Sequence, residues 1–289
     1  MGRSSVQNAL APVARKLPDS ELLGDCLGDA YVNPGNGREM TQLGWQPMYF
    51  AGGVAELAGT VFVQFFRFLA VAASIYITTQ RECCQGGTVQ AVIAGLAYLV
   101  AAYVFNLFYA AHFNPAVTLV FWGLRKVMFL NLCILWIAQF AGSVIAGALL
   151  KFVVLAYDPT LGTPQPVGGF SGGRVFFLEM FSMFFIVLFM LTKGKCRKTH
   201  AIAYGLSVFV VVAATSFFTG ASLSPFGYIG LNIFSEVWVA WPHYVFAPWL
   251  GAILGGIWYF IFVMKMKIDL RNYKYRQLAE AAQVARAQA

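Results

Sequence analysis

Two polar breaks in a very apolar chain mark where its chemistry would lie. One is Asn114-Pro115, in the run Ala111-His112-Phe113-Asn114-Pro115-Ala116-Val117-Thr118-Leu119; the other is Ser224-Pro225, in Thr219-Gly220-Ala221-Ser222-Leu223-Ser224-Pro225-Phe226. An isolated Asn-Pro reads as a turn. Between long apolar stretches it reads instead as backbone that breaks at membrane depth, which survives only where protein buries it or water wets it. The breaks therefore point to a pore or a substrate site. Glu56, Arg67 and Glu179 also stand in apolar runs, where an ionisable group is a functional candidate by default. None of this suggests covalent chemistry. The sequence offers no nucleotide loop, no metal-ligand spacing and no nucleophile–base set, so neither an enzyme nor a cofactor is expected.

The elements that must position these residues follow from composition and spacing. The chain is 59% hydrophobic and only 11% charged, against about 25% charged in soluble domains. Repeated apolar stretches longer than about 18 residues predict an all-α integral membrane protein. Spans are expected from about Tyr49 to Ile77, Val89 to Ala111, Val127 to Ala156, Val175 to Thr192, Ala201 to Phe218 and Tyr244 to Met264. After each break there is room for only a short helix. From Asn114 to Gly123 this is about 14 Å, half of a hydrocarbon core about 30 Å thick, and Ser224 to Phe234 is similar. Pro suits the first helical position, and Asn or Ser suits the cap before it.

The pattern repeats. Residues 49–156 and 174–264 each contain a Glu-bearing span, a second span, an Xaa-Pro half-helix and a third span. Three full crossings per half force opposite orientations, so the repeat is inverted, an architecture of transporters and channels. The symmetric placement of Glu56 and Glu179 favours a structural role, accepting hydrogen bonds from the backbone of the two re-entrant loops. His112 reads as a loop-fixing hydrogen-bonder. Arg67 lies on one helical stripe with Glu56, Thr60 and Val63. Its readings are a pore-facing charge, a subunit contact, a pairing near Gln64 and a snorkelling side chain.

Charge sets the orientation. The net charge is +8, and 16 of the 20 Lys and Arg lie in the N-tail, at Arg125 and Lys126, in the run Lys193 to Lys198, and from Lys265 onward. With six spans these segments share one side, so both termini are expected to be cytoplasmic. Anionic lipid accounts for the charge, and nucleic acid is not expected. Residues 1–48 form a polar tail without the apolar core of a cleavable signal, so the first span is expected to direct insertion. Residues 265–289 read as a basic cytoplasmic helix that lies on the membrane, binds a partner or is solvated. Cys83 and Cys84 share an outer loop, as free thiols or as a link between subunits.

With these motifs in order, residues 50–264 resemble the aquaporins, the major intrinsic protein family. The resemblance rests on the Asn114-Pro115-Ala116 run, Ala55-Glu56-Leu57-Ala58-Gly59-Thr60, Ala138-Gln139, Ile202-Ala203-Tyr204-Gly205-Leu206 and Pro248-Trp249-Leu250-Gly251-Ala252. It implies six membrane helices, two half-helices meeting end to end, and a homotetramer with a pore in each subunit passing water or small neutral solutes such as glycerol or urea. The second motif departs: Ser224-Pro225-Phe226-Gly227 stands where the family usually has Asn-Pro-Ala-Arg. The family's outer filter falls at Ala94, Val212, Ala221 and Gly227, all small, where water-selective members carry aromatic, His and Arg side chains. The resemblance therefore implies a wide, weakly polar filter. The competing expectation is a non-conducting subunit that keeps the fold, with Phe226, Phe217 and Phe218 as candidate plugs.

Overall fold

The structure, a computed structural model, describes residues 47–80, 85–106, 111–155, 158, 160–192 and 197–266, with 269, 273, 276, 277 and 280 beyond them. Nearly all of the expected N-terminal tail, the pair Cys83 and Cys84, and most of the expected C-terminal helix lie outside the described residues. Among the described residues every regular element is helical, and six helices are long and apolar enough to cross a membrane.

The first repeat consists of α1 (Pro47–Gln80), α2 (Gly86–Phe105), the short α3 (Pro115–Gly123) and α4 (Phe129–Leu150). The second consists of α5 (Gly172–Thr192), α6 (Arg197–Thr219), the short α7 (Pro225–Ser235) and α8 (Trp241–Trp258). At about 1.5 Å per residue, the 20-residue α2 spans a hydrocarbon core, whereas α3, with nine residues, and α7, with 11, do not. Both third spans, α4 and α8, run on into a wider π turn, Lys151–Leu155 and Tyr259–Met264. The inverted repeat thus extends to this detail.

One boundary departs from the sequence expectation. The stretch expected to stay helical to Ala111 ends as a helix at Phe105. Ala111 and Phe113 both take φ of 51°, a left-handed conformation that a right-handed helix cannot hold. Hydropathy averaged over a span does not register this change, because Asn106, the cap, stands alone among apolar residues.

Within each repeat the first and third spans pack together, α1 on α4 and α5 on α8, and α2 lies against α6 across the repeats. Small residues permit the approach. A Cβ on Gly205 would stand 2.8 Å from the Gly95 carbonyl, and one on Gly251 would run into the Met180 carbonyl. Both half-helices are clasped by the third spans, each touching α4 and α8. Large apolar side chains such as Ile137, Phe177 and Leu206 are exposed on the flanks, as a lipid-facing surface requires.

Candidate pore and filter

The two half-helices begin alike. Asn114 and Ser224 are extended caps followed by a proline in the first helical turn. The Asn114 side-chain oxygen accepts from the Ala116 N–H at 3.0 Å, and the Ser224 hydroxyl accepts from the Gly227 N–H at 3.2 Å. Pro115 and Pro225 give up only an N–H that the first turn leaves unpaired anyway. The Asn114 Nδ2 donates to the Leu223 carbonyl at 2.9 Å, joining the two halves where they meet.

The loops that enter the caps are strained in the same way. Ala111 and Phe113 in one, and Ala221 and Leu223 in the other, have φ between 51° and 58°. Such residues cost about 1 kcal/mol or more each and persist only where the surroundings hold them. The two buried carboxylates do this symmetrically. Glu56 accepts from the N–H groups of His112 at 2.6 Å and Phe113 at 2.8 Å, the two residues before its cap. Glu179 accepts from those of Ser222 at 2.9 Å and Leu223 at 2.8 Å, again the two residues before the cap. A third donor completes each set: Gln139 Nε2 on Glu56 and the Thr219 hydroxyl on Glu179. Charge-assisted hydrogen bonds of this kind offset the cost of desolvating a carboxylate.

Further polar side chains hold the loop carbonyls. Tyr204 donates to the His112 carbonyl at 2.6 Å, Tyr244 to that of Thr219 at 2.6 Å, and Gln90 to that of Gly220 at 2.7 Å. Gln139 and the His112 ring both reach Thr118. Thr118, Gln139 and Tyr204 stand in the sequence motifs without an assigned role, and Gln90 and Tyr244 stand outside them. Their signal was available: each is a hydrogen-bonding side chain in an otherwise apolar helix, which must find a partner.

The four positions expected to form a filter come from four segments. Ala94 lies on α2, Val212 on α6, Ala221 in the second loop and Gly227 in the first turn of α7. All four are buried. The space beside Gly227 is filled, since a Cβ there would lie 2.5 Å from Gln64 Oε1 and 2.9 Å from Arg67 Nη2. Arg67 is fully buried; its Nε donates to Gln64 Oε1 at 3.0 Å and its Nη1 to the Ala221 carbonyl at 3.1 Å. This geometry matches the reading of a pairing near Gln64 and extends it across to the second repeat. Tyr98 and Tyr204, from α2 and α6, bring their rings to 4.7 Å from each other.

The three phenylalanines lie elsewhere. Phe226 packs edge-on against Trp136, Phe140 and Trp249, an aromatic cluster between α4 and α8. Phe217 and Phe218 are 44% and 46% exposed, and Phe218 packs on Phe170. Rings this exposed do not plug a central pore.

Comparison with known proteins agrees with the geometry. The sequence profile described as major intrinsic protein matches residues 46–259. Aquaporin NIP2-1 of Zea mays is 31% identical over 242 residues, covering 78% of this chain and 78% of its own length. Glycerol uptake facilitator protein-like 6 of Lactiplantibacillus plantarum is 31% identical over 65% of this chain and 92% of its own. The X-ray structure of the aquaglyceroporin from Plasmodium falciparum superposes with a TM-score of 0.66 at 17% identity, over 77% of this chain and 99% of that one, a likeness of fold. Half-helices, paired glutamates, inverted repeat and profile converge, and the chain belongs to the major intrinsic protein family of membrane channels for water and small solutes.

Proposed function

We propose that this chain passes water and small uncharged solutes of the glycerol and urea class down their gradients, between the facing caps of α3 and α7 and through a filter at Ala94, Val212, Ala221 and Gly227. The observation that carries this reading is the junction of the two half-helices, where Asn114 Nδ2 meets the Leu223 carbonyl. Each half-helix brings the positive end of its dipole, roughly half a charge, to that junction. Cations are repelled there while neutral hydrogen-bonding solutes are not. The side chains of the four filter residues are small and apolar, which supports passage of solutes larger than water. The glycerol facilitator relative is consistent with that size class.

The rest of the reading concerns assembly. Both termini are cytoplasmic, the protein is a homotetramer in the lipid bilayer, and residues 265–289 form a basic helix at the cytoplasmic membrane surface or on a partner. The positive-inside charge bias supports the orientation.

A second reading has its own support. Ala94, Val212 and Ala221 are fully buried, as is Arg67, and the buried rings of Tyr98 and Tyr204 lie 4.7 Å apart. A subunit that keeps the fold without conducting would look like this. Flux of water, glycerol and urea into liposomes carrying the purified full-length protein separates the two. Rates above those of protein-free liposomes are expected for a channel, and equal rates favour the non-conducting subunit.

A further inference from the structure

We infer that Arg67 supplies the fixed positive charge and the free hydrogen-bond donor of the filter, reaching from α1 into the space that Gly227 leaves open on α7. This deepens the channel reading and rests on it. Arg67 is a cation in the middle of a membrane span, and its hydrogen bonds go to two neutral groups, the Gln64 amide oxygen and the Ala221 carbonyl. The Phe68 ring lies 5.1 Å from its guanidinium and adds only a weak partner. A buried arginine held this way is costly, and such residues mark the route of a permeant or its gate.

The geometry identifies the place. Two of the guanidinium's three nitrogens are used for anchoring, while Nη2 is buried and has no hydrogen-bond partner among the described residues. That nitrogen lies 2.9 Å from where a Cβ of residue 227 would stand. Gly227 belongs to the first turn of α7 and donates its N–H to the Ser224 cap. The guanidinium therefore adds positive charge beside the positive end of a half-helix, offset in part by its attraction to the buried Glu179 carboxylate. Two like contributions at one level oppose a cation more strongly than either alone. The unpartnered Nη2 is the donor that a solute's hydroxyl or carbonyl oxygen would meet there.

This also explains why residue 227 is a glycine. Any side chain would enter the volume taken by Gln64 and Arg67, so arginine at 67 and glycine at 227 form a matched pair. The small filter expected from residues 94, 212, 221 and 227 alone is thus narrowed, and charged, from a helix that those four positions do not include.

The test uses full-length protein in liposomes, with K⁺ leak and glycerol flux measured for the wild type, Arg67→Ala, Arg67→Lys and the double variant Arg67→Ala/Gly227→Arg. Arg67→Ala is expected to raise K⁺ leak at least about tenfold and to speed glycerol entry. Arg67→Lys should stay ion-tight, and the double variant should return K⁺ leak towards wild type, because the charge re-enters the same space from α7. An ion-tight Arg67→Ala with unchanged glycerol flux overturns the inference. So does a leak that Gly227→Arg fails to reduce, since that would make Arg67 only an anchor for the Ala221 carbonyl.

Failure of the channel reading itself looks different: the wild type and every variant then match protein-free liposomes, and the filter role falls with it. Placement is read separately by melting in detergent. Gly227→Arg should lower Tm by several degrees with Arg67 present and by much less with Arg67→Ala. Equal losses in both backgrounds overturn the placement.

Discussion

A carboxylate in a membrane span is tolerable when both of its oxygens find donors, and Glu56 and Glu179 meet that condition with three donors each. They fix the left-handed loop residues whose own conformations oppose the arrangement. Removing the carboxylate strands buried donors, at about 1–3 kcal/mol for each one left unmade. Glu179→Ala is therefore expected to cost at least about 3 kcal/mol, read as a lower Tm in detergent. Glu179→Gln keeps one acceptor oxygen and should lose less. Glu56→Ala should behave like Glu179→Ala, because the two sites are related by the inverted repeat. A Glu179→Ala protein that melts with the wild type would show that the loop holds itself.

Much of this scale was legible in the sequence, and the remainder was hidden for a physical reason. The positions of Glu56 and Glu179 relative to the breaks already favoured loop support, because symmetry and span placement are one-dimensional facts. Arg67 was legible as an ionisable group on a helical stripe with several readings open, but not where its side chain ends. Helical periodicity gives the face from which a side chain leaves, whereas a long flexible side chain ends where the neighbouring elements allow it. Its contact with the Ala221 carbonyl, 154 residues away, depends on the whole fold. The role of the tyrosines that hold loop carbonyls was hidden because their partners lie 92 and 25 residues away in sequence.

At the scale of elements, the half-helices rest on close helix crossings that leave no room for a methyl group. Gly251 faces the Met180 carbonyl so closely that an added Cβ would force α8 away from α5. Since α8 also clasps α3 and α7, that displacement would loosen both half-helices. Gly251→Ala should therefore markedly reduce Tm and the yield of folded protein. Gly123→Ala is the control: a Cβ there meets nothing within 4 Å among the described residues, and stability should change by less than about 0.5 kcal/mol. Equal behaviour of the two variants in thermal unfolding would contradict this account of the packing. The spans themselves were readable from hydropathy, but their ends were less so. The helix stops at Phe105 with Asn106 as its cap, one polar residue in an otherwise apolar run, too weak a signal to end a hydropathy span.

Over the whole molecule, the inverted repeat brings two positive half-helix ends to one junction, and the large apolar side chains on the flanks face lipid. Size-exclusion chromatography with light scattering in detergent should give the mass of a homotetramer of 31.7 kDa chains, and a monomer would reject that part of the proposal. The central claim is conduction, and osmotic stopped-flow on liposomes carrying the full-length protein tests it most directly. The expected result is water and glycerol entry clearly faster than in protein-free liposomes, with K⁺ leak unchanged. Water and glycerol rates equal to those of protein-free liposomes would contradict it.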